Sequence, residues 1–173
     1  MWCSLVVLVC SVALFAESIA GLKWTPPVGW HSSGATSMRA ATYPVTPAPG
    51  DREGAECVVY FFGAGQGGGV QANIERWQGQ FKSPGGKAAA AQVKQVSVHG
   101  LPVTTIDVSG QYSGMGGPTS TVPVVVNDYR LLGAIIEGPG GNVFIKFTGP
   151  AKTMAANKPK FQQLLDSFEN SSK

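Results

Sequence analysis

The chain predicts an α+β domain built on an antiparallel sheet, and three observations carry that expectation. Apolar runs of strand length alternate with Gly/Pro/Asn clusters, two segments carry apolar stripes at helical spacing, and one pair of extended runs is joined by only His99-Gly100. A connection that short closes an antiparallel hairpin, whereas parallel neighbours need a long crossover. The predicted order is β-β-α-β-β-(β)-β-β-α. With 173 residues, 43% hydrophobic and 13% charged, the chain can bury one core and has the composition of a folded domain.

Residues 1–20 read as an export signal. An apolar core from Leu5 to Ala16 is followed by Ser18-Ile19-Ala20, small residues where a signal peptidase cuts, so the mature domain is expected over 21–173, starting at Gly21. The run is shorter than the about 20 apolar residues of a membrane span and stops at Glu17. A membrane role therefore depends on the signal staying uncleaved. Cys3 and Cys10 leave with it, and Cys57 opens the apolar run CVVYFF, where burial is expected.

After the signal, Trp24 and Trp30 are expected to pin an entry segment, Leu22–Trp30, onto the core. A strand over Thr36–Val45, bounded by prolines, is expected at a sheet edge. Ala55–Phe62 is a buried strand. Val70, Ile74, Trp77 and Phe81 then fall on one stripe of a helix over Val70–Phe81. Gln92–Val98 and Leu101–Val108 form the tight hairpin. A polar, glycine-rich stretch, Gly110–Asn127, reads as the longest loop, with Val122–Val126 as an optional short edge strand. In Tyr129–Gly149, Leu131, Gly133 and Ile135 share one face and Leu132, Ala134 and Ile136 the other, so this strand should be central and covered on both sides. Its partner sets Val143, Ile145 and Phe147 against a wetter row of Phe144, Lys146 and Thr148. Pro150 suits a first helical turn, Asn157 is expected to cap a second start, and Phe161, Leu164, Leu165 and Phe168 give the last amphipathic stripe.

Gly63-Ala64-Gly65-Gln66-Gly67-Gly68 matches G-x-G-x-x-G between a strand and a helix. A dinucleotide site would also need an acidic residue about 20 positions on and a parallel crossover. No Asp or Glu occurs between Glu75 and Asp107, and the next connection is the tight hairpin. The motif reads as a flexible turn. His31 and His99 have no ligand partners at metal-like spacing, the serines lack a nucleophile elbow, and the basic residues form no aromatic-interleaved run that would bind nucleic acid. Asp51, Glu53 and Glu56 read as a solvated loop, His99 as an exposed turn residue, and Asp107 as a structural partner of Arg130 or Lys146. The sequon Asn170-Ser171-Ser172 falls at an end expected to fray.

The entry Pro27-Val28-Gly29-Trp30, the inserted helix and the ending FQQLLDSF together resemble the PsbP-like fold, the α/β/α sandwich of PsbP and of LpqN-type lipoproteins. The segments NIERWQGQF, GLPVTTIDVSGQY and YRLLGAIIEGPGGNVFIKFTGP are similar to a group of uncharacterised exported bacterial proteins. The resemblance spans most of Lys23–Phe168 and implies architecture and a binding or assembly role. It carries over no catalytic, metal or cofactor residue. The expected function is thus an exported, non-enzymatic module, periplasmic or extracellular, that binds a protein or small-molecule partner. Its candidate contact residues are Tyr112 and Met115 in the long loop and Gly65 and Gly67 in the glycine turn. The alternative is a small-molecule carrier or enzyme with a pocket between the sheet and the Trp77 helix.

Overall fold

The computed structural model describes residues 16–115 and 123–171, so most of the expected signal lies outside it. Its elements are β1 (Glu17–Ile19), β2 (Leu22–Trp24), β3 (Arg39–Val45), β4 (Ala55–Tyr60), α1 (Val70–Gly79), β5 (Phe81–Lys82), β6 (Ala91–Val98), β7 (Leu101–Met115), β8 (Pro123–Gly138), β9 (Gly141–Pro150), α2 (Ala151–Asp166) and β10 (Glu169–Asn170). Seven strands form an antiparallel sheet in the order β3-β4-β9-β8-β7-β5, with β6 on the other half of β7. β1, β2 and β10 form a small second sheet. Among the described residues no helix is long and apolar enough to cross a membrane.

The central hairpin sits where its pattern places it. Leu131 and Ile135 enter the core beneath α1, and Leu132, Ala134 and Ile136 enter the larger core beneath α2. In β9, Val143, Ile145 and Phe147 join the α2 side, while Phe144 faces α1. Trp24 stacks on Phe168 at 5.0 Å, and Trp30 packs against Phe147 at 5.2 Å, so the entry segment is pinned as expected. Cys57 is fully buried. In the β6–β7 turn His99 and Gly100 both have positive φ, the geometry that matches hairpin twist. His99 is exposed, and its Nδ1 lies 2.9 Å from the Phe168 carbonyl oxygen.

Several local expectations are corrected. Gly110–Asn127 is not mainly loop: β7 runs on to Met115 and β8 begins at Pro123, leaving only 116–122 outside the described residues. The strand continues because a bulge between Gly110 and Tyr112 resets the register, which hides the two-residue period. Within the expected Val122–Val126 strand, Pro123–Val126 is strand and, paired with β7 alone, lies at an edge as expected, but it is the start of β8 and not a separate element. The last helix is one continuous element with Pro159 inside it. Pro159 and Ala155 are both exposed, so the carbonyl that loses its donor can meet water. Asn157 caps no second start; its side-chain amide donates to the Thr153 carbonyl at 2.9 Å.

The acidic loop has structural work. The Asp51 carboxylate accepts from Thr153 N at 2.9 Å and from Thr153 Oγ1 at 2.6 Å, capping α2 from across the chain. Glu53 accepts from the Tyr129 hydroxyl at 2.6 Å, and Glu56 pairs with Arg39 at 3.0 Å. Asn170 is held in β10 opposite Leu22. Asp107 is paired by Arg130 at 2.6 Å and by Lys158 at 2.9 Å, not by Lys146. Lys146 shares a row with Phe144, on the opposite face of the sheet.

Two outcomes follow from this packing. A Cβ at Gly133 would stand 2.7 Å from Trp77 Cζ3 and 2.8 Å from Ile106 Cγ2, both in the core. Gly133→Ala is therefore expected to destabilise by about 1–3 kcal/mol in chemical denaturation. At the other end, the buried Tyr43 hydroxyl accepts from Trp24 Nε1 at 2.8 Å and donates to Glu17 at 2.9 Å. Glu17 lies upstream of the expected cut at Gly21, so a chain starting at Gly21 loses β1 and that acceptor. It is expected to be less stable than one starting at Ala16 by about 1–3 kcal/mol, read from paired denaturation curves.

Candidate functional site

Beneath α1, the rows facing the helix are Val58 and Tyr60 on β4, Phe144, Lys146 and Thr148 on β9, and Leu131, Gly133 and Ile135 on β8. Cross-strand neighbours of Lys146 are Gly133 and Val58. Neither can accept a proton or a hydrogen bond through its side chain. Trp77 lies over Gly133, and Ile74 and Phe81 complete this side of the core. The helix makes its main contacts with β5 and β7, and a gap remains between its Arg76–Gln80 end and β4–β9.

That opening is a cleft of about 170 Å³. Its walls are Tyr60, Phe62, Phe144 and Trp77, and its polar groups are Arg76, Gln80 and Lys146. Tyr60 and Phe62 stack at 5.8 Å, and Phe62 meets Phe144 edge-on at 5.5 Å. The Lys146 ammonium donates to Gln80 Oε1 at 3.0 Å and to the Tyr112 hydroxyl at 3.3 Å, and lies 5.5 Å from the Tyr112 ring centroid. Arg76, at the exposed mouth, donates to Asn73 Oδ1.

The electrostatics of this cleft are one-sided. Among the described residues the ion pairs are Lys23–Glu169, Arg39–Glu56, Arg130–Asp107 and Lys158–Asp107, so neither Lys146 nor Arg76 has a carboxylate partner. Desolvation by the aromatic walls, helped by repulsion from Arg76, pulls Lys146 down to about 8. Burial also raises the Tyr112 phenol, with Tyr60 adding to the shift, so Tyr112 stays protonated and available as a donor. A second cleft, between β6–β7 and α2, is lined by Asp107 and Lys158. There Asp107 is shared by Lys158 and Arg130, and Lys94 also lines the wall. Burial alone would raise Asp107, but hydrogen bonds from Arg130 and Lys158 outweigh it and hold the carboxyl below its usual range.

The sequence candidates divide around the cleft. Tyr112 is on β7, tilted against Phe81 at 5.0 Å and stacked on Tyr129 at 5.7 Å, with its hydroxyl turned to Lys146. Met115 ends β7, and its side chain is outside what is described. Gly67, with φ +87, would place a Cβ 2.7 Å from both Phe62 and Phe144, so it lets the turn close against the cleft wall. Gly65 has φ +70 and open space around it. Asn73 ties the turn to the helix, its amide donating to the carbonyls of Gly67 and Gly69 at 2.9 Å each. Sequence reasoning passed over Lys146, Arg76, Gln80 and Asn73 as site residues. One signal for Lys146 was present: a lysine in the middle of a central strand, between Phe144 and Thr148 on its own face.

No family model matches the chain, and no curated protein does. Among solved structures, protein PA94 of Pseudomonas aeruginosa, of unknown function, aligns over 89% of this chain and 94% of its own, with TM-score 0.48 and 13% identity. The solution structure of cyanobacterial PsbP (CyanoP) from Synechocystis sp. PCC 6803 aligns over 95% of this chain and 97% of its own, with TM-score 0.51 and 11% identity. Likeness at such low identity concerns the fold alone. The chain is a single α+β domain with a PsbP-like fold.

Proposed function

We propose that this chain is an exported, non-enzymatic binding domain that holds a small organic anion in the cleft beneath α1. One observation carries the reading: Lys146 sits half-buried among aromatic rings with no carboxylate to balance it. Keeping an unpaired ammonium there costs solvation that a packed methionine would not. A ligand acid group is the partner that would recover that cost, through charge-assisted hydrogen bonds to Lys146 and Arg76. The apolar body of the ligand would lie on the rings of Tyr60, Phe62 and Trp77. A cavity of about 150 Å³ takes benzene, so a cleft near 170 Å³ suits one ring or a short chain bearing a carboxylate or phosphate. Export enters the proposal through residues 1–20.

Isothermal titration with benzoate is the test. Wild type is expected to bind, and Lys146→Met to lose affinity by roughly tenfold or more while melting no lower than wild type. The pH dependence has a definite sign. A bound anion raises the lysine, so affinity should be flat below about 8 and fall by roughly tenfold per pH unit above it, until the raised value is reached. Absence of benzoate binding, or binding untouched by Lys146→Met, would remove this cleft as the site.

A further inference from the structure

We propose that Lys146 captures a carbonyl-bearing carboxylate, such as a 2-oxo acid, as a reversible imine inside this cleft, with Arg76 holding the carboxylate. The proposal rests on the anion-binding reading and extends it from charge to covalent chemistry. Three observations support it. The amine lies within a cleft large enough for a short acid, beside aromatic walls and a second cation. It has no carboxylate to hold its proton, and both desolvation and Arg76 favour its neutral form. Finally, the Tyr112 hydroxyl is 3.3 Å from Nζ, close enough to exchange protons with the reacting atoms.

Only a neutral amine can attack, and a lysine next to another cation in an apolar pocket is activated for this step. With its value near 8, roughly a tenth of Lys146 is neutral at pH 7, on the order of 300 times the fraction of an ordinary lysine. The nitrogen lone pair forms a bond to the carbonyl carbon, and the carbonyl π pair moves to oxygen. Tyr112 donates to that oxygen and is reprotonated from the nitrogen, giving a carbinolamine. Loss of the hydroxyl with a second proton as water leaves the C=N bond. The balance is amine plus carbonyl to imine plus water, with no change of oxidation state. Gln80 has no acidic proton to give and serves to orient Nζ. Among the other described lysines, Lys82, Lys87, Lys94, Lys152 and Lys158 are exposed, while Lys23 and Lys160 are partly buried but lie outside this cleft, Lys23 paired with Glu169.

The full chain, incubated with pyruvate and sodium cyanoborohydride at pH 7, tests the proposal, the hydride reducing the imine to a stable secondary amine. Peptide mass spectrometry is expected to find the reduced adduct on Lys146 on the order of 100-fold sooner than on exposed lysines. Lys146→Arg, which keeps charge but cannot form the imine, should lose that early adduct. Arg76→Gln should slow its formation and raise the pyruvate concentration needed. Even labelling across surface lysines, in a wild-type protein that still binds benzoate, would overturn the imine and leave the anion site standing. Loss of both benzoate binding and selective labelling would overturn the two readings together.

Discussion

The indole of Trp77 rests on Gly133, the position between Leu131 and Ile135 where the α1-facing row of β8 has no side chain. This contact sets where α1 sits. With the ring lowered onto the strand, the helix makes its main contacts with β7 and β5, and the cleft remains between it and β4 and β9. The uncovered strip is closed by Tyr60, Phe62 and Phe144 from the sheet side, and the glycine turn packs against their edge through Gly67. A side chain at position 133 would lift the helix and alter the cleft with it. The same strand pair places Lys146 directly across from Gly133, so the seat of the helix and the environment of the lysine share one cause.

The surroundings of Asp107 and of Lys146 treat charge in opposite ways. On the α2 face, Asp107 receives Arg130 and Lys158, and Asp51 caps the helix through Thr153. Both carboxylates there have donors to balance them. On the α1 face Lys146 is met by an amide oxygen and a phenol, both neutral, and by the repulsion of Arg76. Structural lysines are usually freed by letting the stem lie on apolar surface while the ammonium reaches water. Here the ammonium is the enclosed part. That inversion distinguishes the cleft beneath α1 from the cleft beneath α2.

How far the sequence alone determined this protein follows from the range of the interactions concerned. Alternation and helical stripes are local, so the central hairpin, the Trp77 helix, the tight β6–β7 hairpin, the burial of Cys57 and the pinning role of Trp24 and Trp30 were all legible, as was the PsbP-like resemblance. The short strands β1, β2, β5 and β10 were not, because two or three residues carry no period; their partners define them. The bulge at Gly110–Tyr112 disguised the length of β7, and solvent at the exposed side of α2 let a helix run through Pro159. Glycines at 65 and 67 marked the turn correctly, but what Gly67 packs against comes from β9 and from Phe62 beyond the end of β4. Lys146 was visible as a residue and invisible as a site, since its character depends on Gln80, Tyr112 and Arg76, which reach it only through the tertiary fold. Local periodicity specified the elements. Their long-range pairing decided which charges would be balanced and which would be left facing a cleft.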